Sequence, residues 1–227
     1  MSGWGTGGDQ MSSRRRMVDP NQLQFDFWNM RPKREPPPSR TPPHDDSVFF
    51  AVQPDLAAAS RFVRFAEAQK SGHGLSGPLR PAGVLHVSLV PLGPYHSLPD
   101  EIIELAKHAA STVRFPEFTV AFNHTLGFQG NENGYPFVLG GDDGVVGLLA
   151  LHEALGAALG QVGLEIGRHR ITPHMTLLYD RRSIGMTMLD EPLTWTAREF
   201  VLVRSWHGQG RYERLGAWPL SRLRHDA

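Results

Sequence analysis

The chain has 227 residues, 40% of them hydrophobic, and its 23 Lys plus Arg balance 23 Asp plus Glu. That is enough for one sizeable core or two small lobes, and zero formal charge excludes a broad electrostatic grip on duplex nucleic acid, leaving room only for a local site for a small anion or an RNA end. The absence of cysteine excludes disulfides, thiolate nucleophiles and Cys-based zinc sites, and fits a reducing, cytoplasmic setting. No stretch approaches the roughly 18 apolar residues of a membrane span. Arg14, Arg15 and Arg16 are followed by Met17-Val18-Asp19-Pro20 rather than an apolar core, so no cleaved export signal is expected.

Residues 1–46 carry Gly-, Arg- and Pro-rich patches, including Pro36-Pro37-Pro38 and Pro42-Pro43. Such composition buries too little apolar surface to offset chain entropy, and a disordered Pro/Arg-rich tail is expected. Its one apolar patch, Leu23-Gln24-Phe25-Asp26-Phe27-Trp28, is either a segment that docks on an unknown protein partner or on the folded domain, or a loose arm. His44-Asp45-Asp46 offers metal-ligand types without partners at a recognised spacing, and no metal is expected.

The folded domain, 47–227, opens with Val48-Phe49-Phe50-Ala51-Val52, which reads as a buried strand. Pro54-Asp55 starts a helix through about Lys70, with Leu56, Phe62, Val63 and Phe65 supplying apolar surface. A Gly/Pro loop over 71–83 leads to a strand through Pro91. Pro99-Asp100-Glu101 opens a second helix to about Val113, followed by strands at Phe118–Thr125 and Pro136–Gly140. Gly140-Gly141-Asp142-Asp143-Gly144 lacks the Lys-Ser/Thr of a phosphate loop and reads as a turn able to cap the next helix. That helix, Val145–Val162, spaces Leu148, Leu151, Leu155, Leu159 and Val162 along one face and ends at Gly163. A strand region at Thr194–Trp206 and a last strand around Tyr212–Leu220 complete an α+β domain with mostly antiparallel sheet.

Two phrases in this frame say nearly the same thing. Leu85-His86-Val87-Ser88-Leu89 and Pro173-His174-Met175-Thr176-Leu177 each place a histidine two residues before a hydroxyl. Strand side chains alternate between faces, so His86 and Ser88 point one way while Val87 and Leu89 enter the core; His174 and Thr176 repeat this against Met175 and Leu177. Their separation in the chain suggests two pseudo-symmetric lobes around a cleft. Phosphodiester hydrolysis needs a base on the attacking side and an acid on the leaving side, and imidazole suits both because its ordinary pKa is about 6.5. The Ser88 and Thr176 hydroxyls would donate to the non-bridging oxygens, and such a site needs neither metal nor cofactor.

Other residues read more plainly. His152, mid-helix among leucines, is expected to be structural. His124 directly precedes Thr125, which puts the two on opposite faces, so it makes no third motif. Arg168, His169 and Arg170 form either a positive cleft mouth or a solvated run. Phe50, Phe128, Tyr179 and Tyr212 are the aromatics able to stack on a base, with core packing the competing use of each.

From about Val48 to Leu220 the chain resembles the two-histidine (2H) phosphoesterase superfamily, and within it the RNA 2′,3′-cyclic phosphodiesterases also called 2′-5′ RNA ligases. The resemblance is carried by Val48–Val52, by Arg80-Pro81 through His86–Leu89 to Leu92-Gly93, and by Leu148–Leu155. It continues in Ile171–Leu177, Phe200-Val201-Leu202 with Ser205, and Gly210-Arg211-Tyr212. It implies a bilobal fold of two mostly antiparallel sheets with flanking helices around a central cleft. It also implies His86 as general acid, His174 as general base, and hydrolysis of RNA 2′,3′-cyclic phosphate ends to 2′-phosphomonoesters, in some relatives with reversible 2′-5′ joining. Two positions depart from the pattern: Ser88 stands where threonine is commoner, and Tyr179 where many relatives carry an arginine. Action on 2′-5′ oligonucleotides or small cyclic nucleotides is the alternative within enzymes; binding of RNA ends or nucleotides without turnover is the alternative outside them.

Overall fold

The computed structural model describes residues 46–95, 99–130, 134–164, 170–206 and 211–222. The tail through residue 45 with its apolar patch, His44, Asp45, Arg168 and His169 lie outside the described residues. The strands are β1 (Asp46–Val52), β2 (Val87–Tyr95), β3 (Phe118–Gly127), β4 (Tyr135–Gly140), β5 (His174–Asp180), β6 (Thr187–Ala197), β7 (Glu199–Trp206) and β8 (Arg211–Pro219). The helices are α1 (Leu56–Gly72), α2 (Asp100–Thr112) and α3 (Val146–Gln161). Asp46, assigned from composition to the tail, is the first residue of β1.

Local chemistry sets the helix ends. The Asp55 carboxylate accepts from the Ala58 N–H at 2.8 Å, satisfying one of the orphan donors that open α1. Leu56, expected to supply apolar surface, is exposed because it is the first helical residue, while Phe62 is fully buried. Asp100 and Glu101 sit in the first turn of α2, where negative charge meets the positive end of the helix dipole. The expected cap on α3 does not form: Asp142 Oδ2 accepts from Asn123 Nδ2 at 2.9 Å instead, and a 3-10 turn, Asp143–Val145, feeds the helix. Gly163 stops it with φ 79°, a left-handed conformation that costs glycine little. By length and composition the segment Asp143–Gln161 could cross a membrane, contrary to the expectation that no stretch approaches this. Here Leu148, Leu151, Leu155 and Leu159 are fully buried in the core, each burial contributing about 1.5–3 kcal/mol.

The eight strands form one sheet in the order β6-β3-β4-β5-β2-β1-β7-β8, with every neighbouring pair antiparallel. The two sheets anticipated from the resemblance are its two four-stranded halves. They are stitched at one register position, Val87↔Met175, where β2 meets β5. The anticipated 194–206 strand region is two strands that turn at Arg198. The start of β6 was illegible because it is an edge: Asp190, Glu191 and Pro192 keep it exposed and erase the alternation.

All three helices pack on one face and share a core with Phe50, Val87, Leu89, Phe122, Leu139, Met175, Leu177 and Phe200. The other face holds two small apolar clusters, one per half. Phe49, Ala51, Val201 and Val203, with Tyr212 against them, form the first; Leu126, Phe128 and Val138 form the second. The two-residue period of the strands divides the faces, so adjacent Phe49 and Phe50 serve different surfaces.

Candidate active site

Val87 and Met175 are both fully buried on the helix face. Antiparallel continuation from this pair sets His86 across from Thr176 and Ser88 across from His174. Each histidine therefore stands across the seam from the hydroxyl residue of the other motif. All four residues lie on the face away from the helices, because they alternate with Val87 and Met175. Ser88 is exposed; His86, His174 and Thr176 are half-buried.

The two imidazoles are held alike. His86 Nδ1 lies 2.8 Å from the Val84 carbonyl and His174 Nδ1 lies 2.9 Å from the Thr172 carbonyl, each two residues back. A carbonyl only accepts, so Nδ1 carries the proton and donates, and each neutral ring presents the lone pair of Nε2. Burial pushes His86 down to about 4 despite the Val84 carbonyl, with the charges of Arg80 and His174 lowering it further. Burial lowers His174 as well, against the opposing bond to Thr172. Both rings are neutral at pH 7 with no anion bound.

An aromatic side chain packs on each imidazole. Phe49 lies 5.1 Å from the His86 ring, centroid to centroid, and Phe128 lies 4.7 Å from the His174 ring in an edge-on arrangement. Phe128, a stacking candidate by sequence, thus packs against a histidine inside the second cluster. Phe50, put forward as a base-stacking residue, is fully buried in the main core beside Phe200 and Trp218. The correction is one residue in size: Phe49 is on the site face. The sequence Phe49-Phe50 gave no sign of which phenylalanine faced which way.

Tyr212 lies on this face, its ring 5.3 Å from His86 and 6.2 Å from Phe49. Tyr179 arrives by a route the sequence hides. Strict alternation from His174 and Thr176 would turn it to the helix face. A β-bulge intervenes: Val138 pairs with Thr176, yet the next residue back, Phe137, pairs with Leu178. The extra residue returns Tyr179 to the side of Thr176. Burial raises the Tyr179 phenol, while the charge of Arg80 and the nearby Thr176 hydroxyl pull it back. The next residue, Asp180, is buried and accepts N–H bonds from Ser76 at 2.6 Å, Gly77 at 2.7 Å and Arg182 at 3.0 Å. Burial alone would raise this carboxyl; those donors reverse it and hold it at about 2.

Two residues without an assigned role also reach this face. Arg80 donates from Nη2 to the Tyr212 hydroxyl at 3.1 Å, and its charge acts on both His86 and Tyr179. His124 shares a rung with Gly140 and His174 across β3, β4 and β5, which puts it on the same face as the second motif. Thr125 is buried on the opposite face, so the pair is no third motif, as its spacing indicated. The rung could be found only from the register. His152 ties α3 to β2, its Nδ1 lying 2.9 Å from the Leu89 carbonyl. Arg170 is exposed. Among the described residues, no three His, Asp or Glu side chains are grouped as metal ligands.

Gly140 has a steric duty here. A Cβ built on it would overlap the Nε2 of the buried His124 ring, which lies over its backbone. Gly140→Ala is expected to destabilise the fold by about 1–3 kcal/mol through overpacking. Adding His124→Ala should recover most of that loss, read as the midpoint of urea unfolding. A double variant no more stable than Gly140→Ala alone would show that the clash is not the cause.

The model of the 2'-5' RNA ligase superfamily matches residues 53–209. No curated protein matches the sequence. Among solved structures, one described as a phosphoesterase aligns at TM-score 0.62 and 20% identity, covering 78% of this chain and 99% of its own. LigT of E. coli in its apo form aligns at 0.61 and 22%, with the same coverage, and its complex with 3'-AMP at 0.61 and 22%, covering 78% and 98%. At these identities the likeness establishes a shared fold. The family match spans most of the chain and takes in both histidine motifs, so this protein belongs to the 2'-5' RNA ligase superfamily, the two-histidine phosphoesterases.

Proposed function

We propose that this protein hydrolyses RNA 2′,3′-cyclic phosphate ends to 2′-phosphomonoesters without a metal ion. The observation carrying the reading is the antiparallel pairing of the two motifs, which brings two imidazoles with identical backbone tethers to one face. A fold relative, E. coli LigT, has been solved with 3'-AMP and with phosphate, which agrees with a nucleotide phosphate as ligand. His174 Nε2 takes a proton from the attacking water as its oxygen bonds to phosphorus. His86, protonated at Nε2 once the phosphate anion is beside it, gives that proton to the departing 3′ oxygen. The products are a 2′-phosphomonoester and a 3′-hydroxyl, and solvent exchange resets the pair. Ser88 and Thr176 donate to the non-bridging oxygens as charge builds there. The deciding assay incubates the protein with RNA carrying a 2′,3′-cyclic end and identifies the phosphate position in the product. An unchanged cyclic end after long incubation refutes the reading.

The pH profile follows from the lowered pKa values. The base must be neutral, so rate is lost as pH falls through the pKa of His174. The acid must be protonated, so rate is lost as pH rises through that of His86. Both lie below 6.5 in the free enzyme. The bell in kcat/KM, which reports the free enzyme, should therefore centre on the acid side of 6.5. The bell in kcat should sit at higher pH, because bound phosphate favours both imidazolium forms. Excess chelator should change neither. Both limbs of kcat/KM above pH 7, or activity lost in chelator and restored by a divalent ion, would contradict the scheme.

A further inference from the structure

Two neutral imidazoles and two hydroxyls give no fixed positive charge with which to hold a phosphodiester. Arg80 supplies one. Its backbone is pinned at the bulge of β5: the Arg80 N–H donates to the Leu177 carbonyl at 2.7 Å, and Leu79 makes an isolated bridge to Leu178. The same stretch is tied down at Ser76 and Gly77 by the Asp180 carboxylate. The guanidinium donates to the Tyr212 hydroxyl and lies over that ring at 5.9 Å, and Tyr212 in turn packs on His86. No carboxylate pairs with Arg80 among the described residues, whereas Arg204, the other half-buried arginine there, has Glu213. A half-buried guanidinium fixed by a phenol, with one of its five N–H donors committed there, is arranged for an anion it does not yet have. Its place beside His86 and Tyr212 of one half and Tyr179 of the other puts that anion at the seam.

We propose that Arg80 is the cation that holds the non-bridging oxygens of the reacting phosphate, with Tyr212 orienting its planar fork and the Tyr179 phenol beside it. A guanidinium binds phosphate through two parallel N–H bonds, which fixes orientation as well as charge. The proposal rests on the phosphodiesterase reading for its substrate, yet phosphate binding by itself tests it.

The test compares wild type with Arg80→Ala, Arg80→Lys and Tyr212→Phe. Three readouts are taken: affinity for inorganic phosphate, kcat and KM on RNA with a 2′,3′-cyclic end, and the titration of His86 by ring NMR. Arg80→Ala should weaken phosphate binding and lower kcat/KM by about 10²-fold or more. Arg80→Lys should recover about tenfold of that, keeping charge without the fork. Tyr212→Phe should fall between wild type and Arg80→Ala. The groups facing His86 are Arg80, His174 and Tyr212; loss of the first should raise its titration midpoint, a shift that a purely structural role would not produce. Wild type that binds phosphate through Arg80 but leaves cyclic ends intact keeps this proposal and overturns the phosphodiesterase reading. Cyclic ends hydrolysed equally by Arg80→Ala keep that reading and overturn this proposal. Phosphate affinity unaffected by Arg80→Ala, no phosphate binding by wild type, or loss of folded protein in Arg80→Ala without rescue by lysine, also overturns it.

Discussion

Hydrolysis of cyclic ends by His86→Ala or His174→Ala should fall about 10²–10⁴-fold each, the usual worth of one positioned proton transfer. The expectation follows from the matched tethers: each ring has Nδ1 committed to its own backbone and one nitrogen left for chemistry. Folding should survive both changes. Neither ring belongs to the main core, and the seam pair Val87↔Met175 faces the helices. The double variant should be little slower than either single one, because the acid and base act in one concerted event and losing either disables it. Single-turnover rates measured beside thermal unfolding curves check this. Full activity in either single variant would remove that histidine from the reaction. Multiplying defects in the double variant would mean that the two rings act in separate steps.

Phe50→Ala and Phe49→Ala should give opposite phenotypes, although the residues are neighbours. Phe50 is enclosed between Phe200 and Trp218 in the helix-side core, and its truncation should cost about 3–5 kcal/mol of stability. The enzyme that remains folded at low temperature should retain nearly wild-type kcat/KM and pH profile. Phe49 instead packs on His86 and Tyr212. Phe49→Ala should admit water to the His86 ring, raise its pKa toward the ordinary value, and move the alkaline limb of kcat/KM upward. Urea unfolding and pH-rate profiles of the two variants separate these outcomes. A pH profile moved by Phe50→Ala and untouched by Phe49→Ala would mean that the face assignment of β1 is inverted.

The parts of this protein visible in its sequence are those governed by nearest neighbours in the chain. The leucine spacing of α3, the Asp55 start of α1 and the alternation about His86 and His174 each depend on a few consecutive residues, and each was legible. Strands broken by charge, such as the edge strand β6, gave no such pattern. Nor did composition reveal which of Phe49 and Phe50 faced the histidines, since both suit either surface.

Sequence by itself determined two imidazole–hydroxyl pairs in an α+β chain, because period-two geometry is local and needs no partner strand. Only the tertiary structure decided that His86 would face Thr176, that Tyr179 would turn to the site, that His124 would join its rung, and that Arg80 would arrive between the halves. Each of these depends on register: one pairing at the seam, one bulge against Val138, and one loop pinned to β5. Register is set by the match of distant hydrophobic faces across the whole sheet, and a shift of a single residue would send every one of these side chains to the other side.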